Sequence, residues 1–251
     1  TFVVDTSGSM SGVSIVQAKE ATAFAISRLK PGDRFNVIEF NSHARSLFPA
    51  PMPADPATTA AAQRFVAGLR ANGGTEMKPA LTAALAPPSL PGYARQVFFL
   101  TDGAVGNEHE LLKLIRANLG DRRLYTIAIG PAPNAWFIRK AAQFGRGTST
   151  CIGDVRDVRE RMTALFEKLE RPTLTDLSIT WPVGAEVYPQ QLPDLYSGEP
   201  IVVTASFAGA PTTLSIVGRR GKSAWGTLLP TGPGPAAHGI GVLWARERIS
   251  A

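Results

Sequence analysis

Through residue 170 the chain alternates short apolar runs with segments of helical period, and few folds accept that order. "TFVV" at 1–4, "RFNVIEF" at 34–40, "QVFFLT" at 96–101, "RLYTIAIG" at 123–130 and residues 148–152 read as strands, with a short one near 44–48 beside the second. "QVFFLT" is apolar almost without interruption, as a strand covered on both faces must be. Between the strands, residues 14–29 set Ile15, Ala18, Thr22, Ala25, Ile26 and Leu29 on one helical face. Helices are expected near 56–69, 78–86 and 134–144. Asn107, with Glu110 three residues on, predicts the cap of another helix carrying Leu111, Leu114 and Ile115. Asp154 opens a last one, with Val155, Val158, Met162, Leu165, Phe166 and Leu169 at spacings of three and four. This order predicts an α/β fold, a doubly wound, mostly parallel Rossmann-like sheet with helices on both faces.

At Pro172 the texture changes. Residues 172–251 hold nine prolines and alternate by twos, as in "LTDLSITW" and "PIVVTASF". Two parts are therefore expected, residues 1–171 and a smaller β-rich region, residues 172–251, and 251 residues are enough for both. Because the chain opens inside a strand, its true N-terminus is expected to lie upstream. "GIGVLWARERISA" is expected to begin a helix that the chain does not complete.

Charge excludes some partners. Residues 1–171 carry 21 Lys+Arg against 15 Asp+Glu, and residues 172–251 carry 5 against 5. The excess is scattered (Arg28, Arg64, Arg70, Arg116, Arg139, Arg159), which suits solvated helix faces and not a nucleic-acid surface. Cys151 is the single cysteine, so no intrachain disulfide forms. It reads as a small buried side chain at a strand end. No apolar run approaches the ~20 residues of a membrane span, so membrane attachment would need segments absent from this chain.

Three loops carry the chemistry. "DTSGSM" at 5–10 follows the first strand. "NGGTEMKPAL" at 72–81 uses Gly73 and Gly74 to turn sharply before Thr75. "FLTDGAVGNE" at 99–108 ends a strand on Asp102. In an open doubly wound sheet, ligands bind beyond the carboxyl ends of strands where the strand order reverses. Asp5 and Asp102, 97 positions apart, both belong at such ends. Adjacent unpaired carboxylates repel, and a cation holds both ionised. Ser7, Ser9 and Thr75 add neutral oxygen donors, a set suited to Mg²⁺ (or Mn²⁺/Ca²⁺). With two protein charges balancing the ion, a carboxylate from outside is a fitting sixth ligand.

D-x-S-x-S, a distant Thr after G-G, and T-D-G together resemble the metal-ion-dependent adhesion site of the von Willebrand factor type A domain, over roughly residues 1–170. All five positions are filled, by Asp5, Ser7, Ser9, Thr75 and Asp102. The resemblance implies divalent-cation-dependent protein binding, in which an Asp or Glu of a protein partner completes the coordination. "FVVDTSGSMSG", "LKPGDRFNVIEFN", "GGTEMKPAL", "FLTDGAVGNE" and "LWARERI" further resemble the inter-alpha-trypsin inhibitor heavy chains and their bacterial surface relatives, which implies an extracellular or cell-surface setting. On this reading Ser7, Ser9 and Thr75 bind directly, Asp5 and Asp102 mainly through waters, and loops 10–13, 73–77, 103–108 and 131–136 form the rim.

Two other readings stay open. "DTSGS" also resembles the phosphorylated-aspartate loop of haloacid-dehalogenase-like enzymes, with Asp5 as nucleophile and Lys78 steadying the phosphoryl group. Against it, Ser7 stands where the phosphatases of that superfamily carry a general acid. A structural scaffold whose metal only rigidifies the loops is the third. A dinucleotide site is excluded because Gly8 and Gly12 do not make G-x-G-x-x-G. Met10 and Met77 are expected to pack beside the site, since magnesium rejects thioether. Glu76 reads as a solvated helix-start charge. His43, His109 and His238 have no metal spacing and read as surface or capping residues. Trp136 fits either an exposed rim or the core.

Overall fold

A computed structural model describes residues 1–88, 90–170, 172–196, 198, 200–209, 212–232 and 239–249. The chain divides into two compact units, Thr1–Phe166 and Glu167–Ala251.

The first unit is built on a six-stranded sheet. Strands β1 (Phe2–Asp5), β3 (Val37–Phe40), β6 (Gln96–Thr101), β7 (Arg123–Ile129) and β8 (Arg146–Ile152) run parallel, and β4 (Ala44–Ser46) is antiparallel beside β3. The order is β4-β3-β1-β6-β7-β8. The chain winds outward from β1 to β3, then returns to lay β6 on β1's other side. The strand order therefore reverses between β1 and β6, where a ligand crevice is expected.

Strand alternation supplies both faces. Val3, Ile38, Val97, Phe99 and Leu124 pack on one side with Leu81 of α3 (Met77–Leu85), Leu111 and Ile115 of α4 (Glu108–Asn118) and Phe137 of α5 (Ala135–Phe144). The neighbouring positions face the other way. Phe98 stacks on Phe2 at 5.3 Å, on Tyr125 at 5.3 Å and on Phe166 of α6 (Val158–Leu169) at 5.5 Å between ring centroids. On that side α1 (Val13–Ser27) buries Ala18, Ala21, Thr22, Ala25 and Ile26. Its buried face also takes in Ser14 and Gln17, while Ile15 and Leu29 are only half-buried. The outer helix α2 (Pro56–Ala67) starts at a capping box between Asp55 and Thr58.

Two expectations need correction. The strand expected over 34–40 is broken into β2 (Arg34–Phe35) and β3 by Asn36. The Asn36 side-chain oxygen accepts from the Val37 and Phe48 N–H groups, and its amide donates to the Phe48 carbonyl. That side chain takes the place of a ladder, and β2 pairs instead with β5 (Met52–Pro53). Cys151, expected to be buried, is exposed. It lies on β8, an edge strand, whose burial is incomplete between Gly147 and Ile152. Elsewhere in the first unit the elements that the sequence bounds start and stop within about two residues of those bounds, apart from a 3₁₀ turn (Val155–Asp157) before α6.

The second unit holds a four-stranded antiparallel sheet, ordered β11-β9-β13-β14 from β9 (Pro172–Thr180), β11 (Leu195–Tyr196), β13 (Thr213–Arg220) and β14 (Ser223–Pro230). A ribbon of β10 (Glu186–Tyr188) and β12 (Thr204–Ser206) carries α7 (Ile240–Ile249), whose Trp244 indole N–H donates to the Glu186 carbonyl at 3.2 Å. Leu174, Tyr196 and Leu214 are its buried apolar side chains among the described residues of these strands, whereas Leu228 and Leu229 of β14 are exposed. No helix among the described residues is long and apolar enough to cross a membrane.

The aromatic stack makes Phe98 the side chain on which the α1/α6 face leans. Phe98→Ala is expected to lower unfolding stability by about 3–5 kcal/mol, read from the urea midpoint of the purified chain. A loss under ~1 kcal/mol would show that the stack contributes little.

Candidate metal centre

Each of the three loops starts where a strand or turn fixes its backbone. Asp5 is the last residue of β1, opposite Phe40 of β3. The Thr6 N–H extends that ladder by donating to the Phe40 carbonyl at 2.8 Å. Asp5 is fully buried, and the Ser7 N–H donates to its Oδ1 at 2.8 Å. This bond curls the chain into a 3₁₀ turn over Gly8–Met10 and brings the Ser7 and Ser9 hydroxyl oxygens to 3.0 Å from each other. Met10 is buried beneath the turn, and Met77 is buried at the start of α3, so both pack as expected.

The second loop is bound to the first through main chain. Asn72 N–H donates to the Thr6 carbonyl at 2.8 Å, and Gly8 N–H donates to the Gly73 carbonyl at 3.0 Å. Gly73 has φ +72°, and a Cβ there would lie 2.8 Å from Ser42 Oγ, so only glycine fits. Ser42 Oγ accepts from Gly74 N–H, and the Asn41 carbonyl accepts from Glu76 N–H. Thr75 is half-buried between these anchors, and Glu76 is exposed at the helix start.

The third loop reaches Asp5 directly. Thr101, the last residue of β6, donates its hydroxyl to Asp5 Oδ2 at 2.6 Å and accepts from Gly103 N–H at 2.9 Å. Asp102 Oδ1 accepts from Ala104 N–H at 3.0 Å, and its carbonyl accepts from Asn134 N–H at 2.8 Å. The expected rim segment 131–136 is thereby joined to the centre. Thr101 and Asn134 were not singled out in the sequence. Thr101 is legible only from register: Val4 pairs with Leu100, which sets Thr101 beside Asp5.

Electrostatics follow from this burial. Loss of solvent raises the pKa of Asp5, the hydrogen bonds from Thr101 and Ser7 oppose the rise, and the nearby Asp102 carboxylate adds to it. A buried, hydrogen-bonded carboxylate facing a second carboxylate and a pair of hydroxyls is short of positive charge. The donor set is all oxygen, and among the described residues no group of three or more His, Cys, Asp or Glu side chains gathers anywhere. Such a set fits a hard divalent cation and not a soft one. The structure holds Asp5, Ser7 and Ser9 in one turn and sets the loops of Thr75 and Asp102 against it.

Other candidates lie apart. Lys78, in the first turn of α3, pairs with Glu110 of α4, which raises its own pKa and lowers that of Glu110. Asn107 donates to the same Glu110, so the expected cap closes between side chains and not onto the helix backbone. His43 and His109 are exposed, and His238 lies outside the described residues. Trp136 is exposed, edge-on to His109 with ring centroids 5.8 Å apart.

The family profile of the von Willebrand factor type A domain matches residues 1–151. The chain belongs to this family. A von Willebrand factor A domain-containing protein of Dictyostelium discoideum is 28% identical over 95% of the chain and 25% of its own length. Human von Willebrand factor A domain-containing protein 5B1 is 31% identical over 80% of the chain and 17% of its own length. Human inter-alpha-trypsin inhibitor heavy chain H4 is 30% identical over 80% of the chain and 23% of its own length. The chain thus spans a quarter or less of these curated relatives. A von Willebrand factor type A structure from Catenulispora acidiphila superposes with TM-score 0.67 at 25% identity, covering 92% of the chain and 64% of its own. Proximal thread matrix protein 1 of the mussel byssus shares the fold at TM-score 0.51 and 14% identity, over 71% of the chain and 48% of its own. That structure carries zinc in its metal-ion-dependent adhesion site.

Because Asp5 has a raised pKa, its contribution to metal-free stability is fully present below the ordinary value of 3.8 and is lost as pH rises through its folded pKa. In chelator, Asp5→Asn is therefore expected to gain melting temperature relative to the parent chain as pH rises from about 4 to about 7. A difference independent of pH in differential scanning fluorimetry would remove burial of the charge as its source.

Proposed function

We propose that residues 1–171 are a divalent-cation-dependent protein-binding module and that residues 172–251 are a separate β-rich region. Ser7, Ser9 and Thr75 bind the ion directly, and Asp5 and Asp102 bind it mainly through waters. The partner is a protein that places an Asp or Glu carboxylate on the open position. The observation that carries this reading is the junction of three loops at the β1/β6 reversal around buried Asp5.

The Ser7 and Ser9 hydroxyls, hydrogen-bonded to each other at 3.0 Å, and the two carboxylates form an all-oxygen set of the kind that suits Mg²⁺, with Mn²⁺ or Ca²⁺ accepting similar donors. The ion supplies a Lewis-acidic seat for the partner's carboxylate.

Binding suits these residues better than catalysis. The three loops contain no histidine. Their one lysine, Lys78, is engaged with Glu110 and not aimed at Asp5, which weakens the phosphoryl-transfer reading as well. An extracellular or cell-surface setting fits such a module, with any membrane attachment made by segments outside this chain.

Saturating Mg²⁺ at about 100 times its Kd is expected to raise the melting temperature by roughly 5–10 °C. Asp5→Ala and Ser9→Ala should abolish or sharply reduce that rise. Surface proteins captured in Mg²⁺ should be released by EDTA and missed by Asp5→Ala. A metal-dependent rise with no EDTA-released partner would leave the scaffold role in place of adhesion; no rise at all would remove the metal site.

A further inference from the structure

Three loops carry the oxygen donors, and a fourth segment holds one of them in place. Asn41, Ser42 and His43 make the turn between β3 and β4, beside the end of β1. The turn is braced within itself. Asn41 N–H donates to the His43 carbonyl at 3.0 Å, and His43 N–H donates to Asn41 Oδ1 at 3.3 Å. It is also tied to β1. The Asn41 amide donates at 3.3 Å to Oγ1 of Thr6, which is fully buried between Asp5 and Ser7.

Residues 72–76 meet this turn at three places. Asn72 Oδ1 accepts from the Asn41 amide at 2.9 Å, Gly74 N–H donates to Ser42 Oγ at 2.8 Å, and Glu76 N–H donates to the Asn41 carbonyl at 2.7 Å. The N–H groups just before and just after Thr75 therefore end on two consecutive residues of one turn. The approach is close, since a Cβ on Gly73 would lie 2.8 Å from Ser42 Oγ and one on Gly74 would lie 3.4 Å from it. Thr75 stands in neither a strand nor a helix, and two glycines precede it. Glycine leaves a backbone many conformations, so the placing of Thr75 falls on these bonds. Mg²⁺ demands near-ideal octahedral geometry, which makes that placing count.

We infer that Asn41 and Ser42 are positioning residues of the metal centre, acting through Thr75 and not as ligands. The inference rests on the metal-dependent reading above. Ser42 fixes the backbone immediately before Thr75, and the Asn41 carbonyl fixes it immediately after. The Asn41 side chain fixes the start of the loop through Asn72. With the loop already ordered, ion binding does not bear the entropy of ordering it. Loss of either side chain returns that cost to the binding step, and affinity falls.

Mg²⁺ affinity is read from the rise in melting temperature of the purified chain, titrated to about 100 mM so that weak sites stay measurable. Asn41→Ala and Ser42→Ala are each expected to weaken Mg²⁺ about 5-fold or more, with the urea midpoint in EDTA held at the parent value. Ser42 is exposed, so it carries the comparison if Asn41→Ala does not fold. Ser42→Thr keeps the acceptor hydroxyl and is expected to bind as the parent does. In a Thr75→Ala background, Ser42→Ala is expected to add nothing, because no hydroxyl remains to be placed. Four results would overturn the positioning role while leaving the metal site standing. They are unchanged affinity in Ser42→Ala, a loss matched by a lower urea midpoint in EDTA, weak binding by Ser42→Thr, and losses that multiply in the double variant. A parent chain that takes up no Mg²⁺ would end the metal reading and the positioning role together.

Discussion

Asp5 lies beneath the surface with both carboxylate oxygens hydrogen-bonded, and the loops of the site are arranged by what they give to it or to its immediate neighbours. Thr101 supplies a hydroxyl from β6, and Ser7 supplies an amide from its own turn. Those bonds hold the carboxylate in place but do not cancel the cost of its burial, and Asp102 adds to that cost. A buried carboxylate that is fixed yet undercompensated is relieved either by a proton or by a nearby cation. The parallel sheet makes such a position available, since its strand order reverses between β1 and β6 and leaves their carboxyl ends side by side.

The core beneath explains why the site can be held so firmly. Nearly every buried large apolar side chain of the first unit belongs to a strand or to a helix face lying on one, with Phe98 and its three aromatic neighbours closing one side. The loops above contribute little apolar burial apart from Met10 and Met77, which anchor them from below. Packing and chemistry therefore occupy different levels of the same unit. Distance from the core lets Ser9 stay exposed while Asp5, four residues earlier, is sealed.

Periodicity alone revealed most of this architecture. The alternation of apolar strands and amphipathic helices is a property of burial, and burial on two faces of a sheet leaves its period in the sequence. The five oxygen-bearing residues drew notice for another reason, the resemblance of their spacing to a metal-binding motif, and the folded chain joins the three loops that carry them. What stayed hidden depended on register or on edges. Asn36 breaks a strand because its amide finds Phe48, a partner twelve residues away. Cys151 is exposed on β8, which has no outer neighbour among the described residues. Thr101 matters because β6 is in step with β1.

Two bonds that join the first two loops, Gly8 to Gly73 and Asn72 to Thr6, run entirely through main chain, and the Asn41 amide adds a bridge between the Thr6 and Asn72 side chains. None of them depends on a side chain that would touch the ion. This part of the frame is therefore independent of the Ser9 and Thr75 hydroxyls, so exchanges at those two positions change what the loops offer to a ligand while leaving the loops joined.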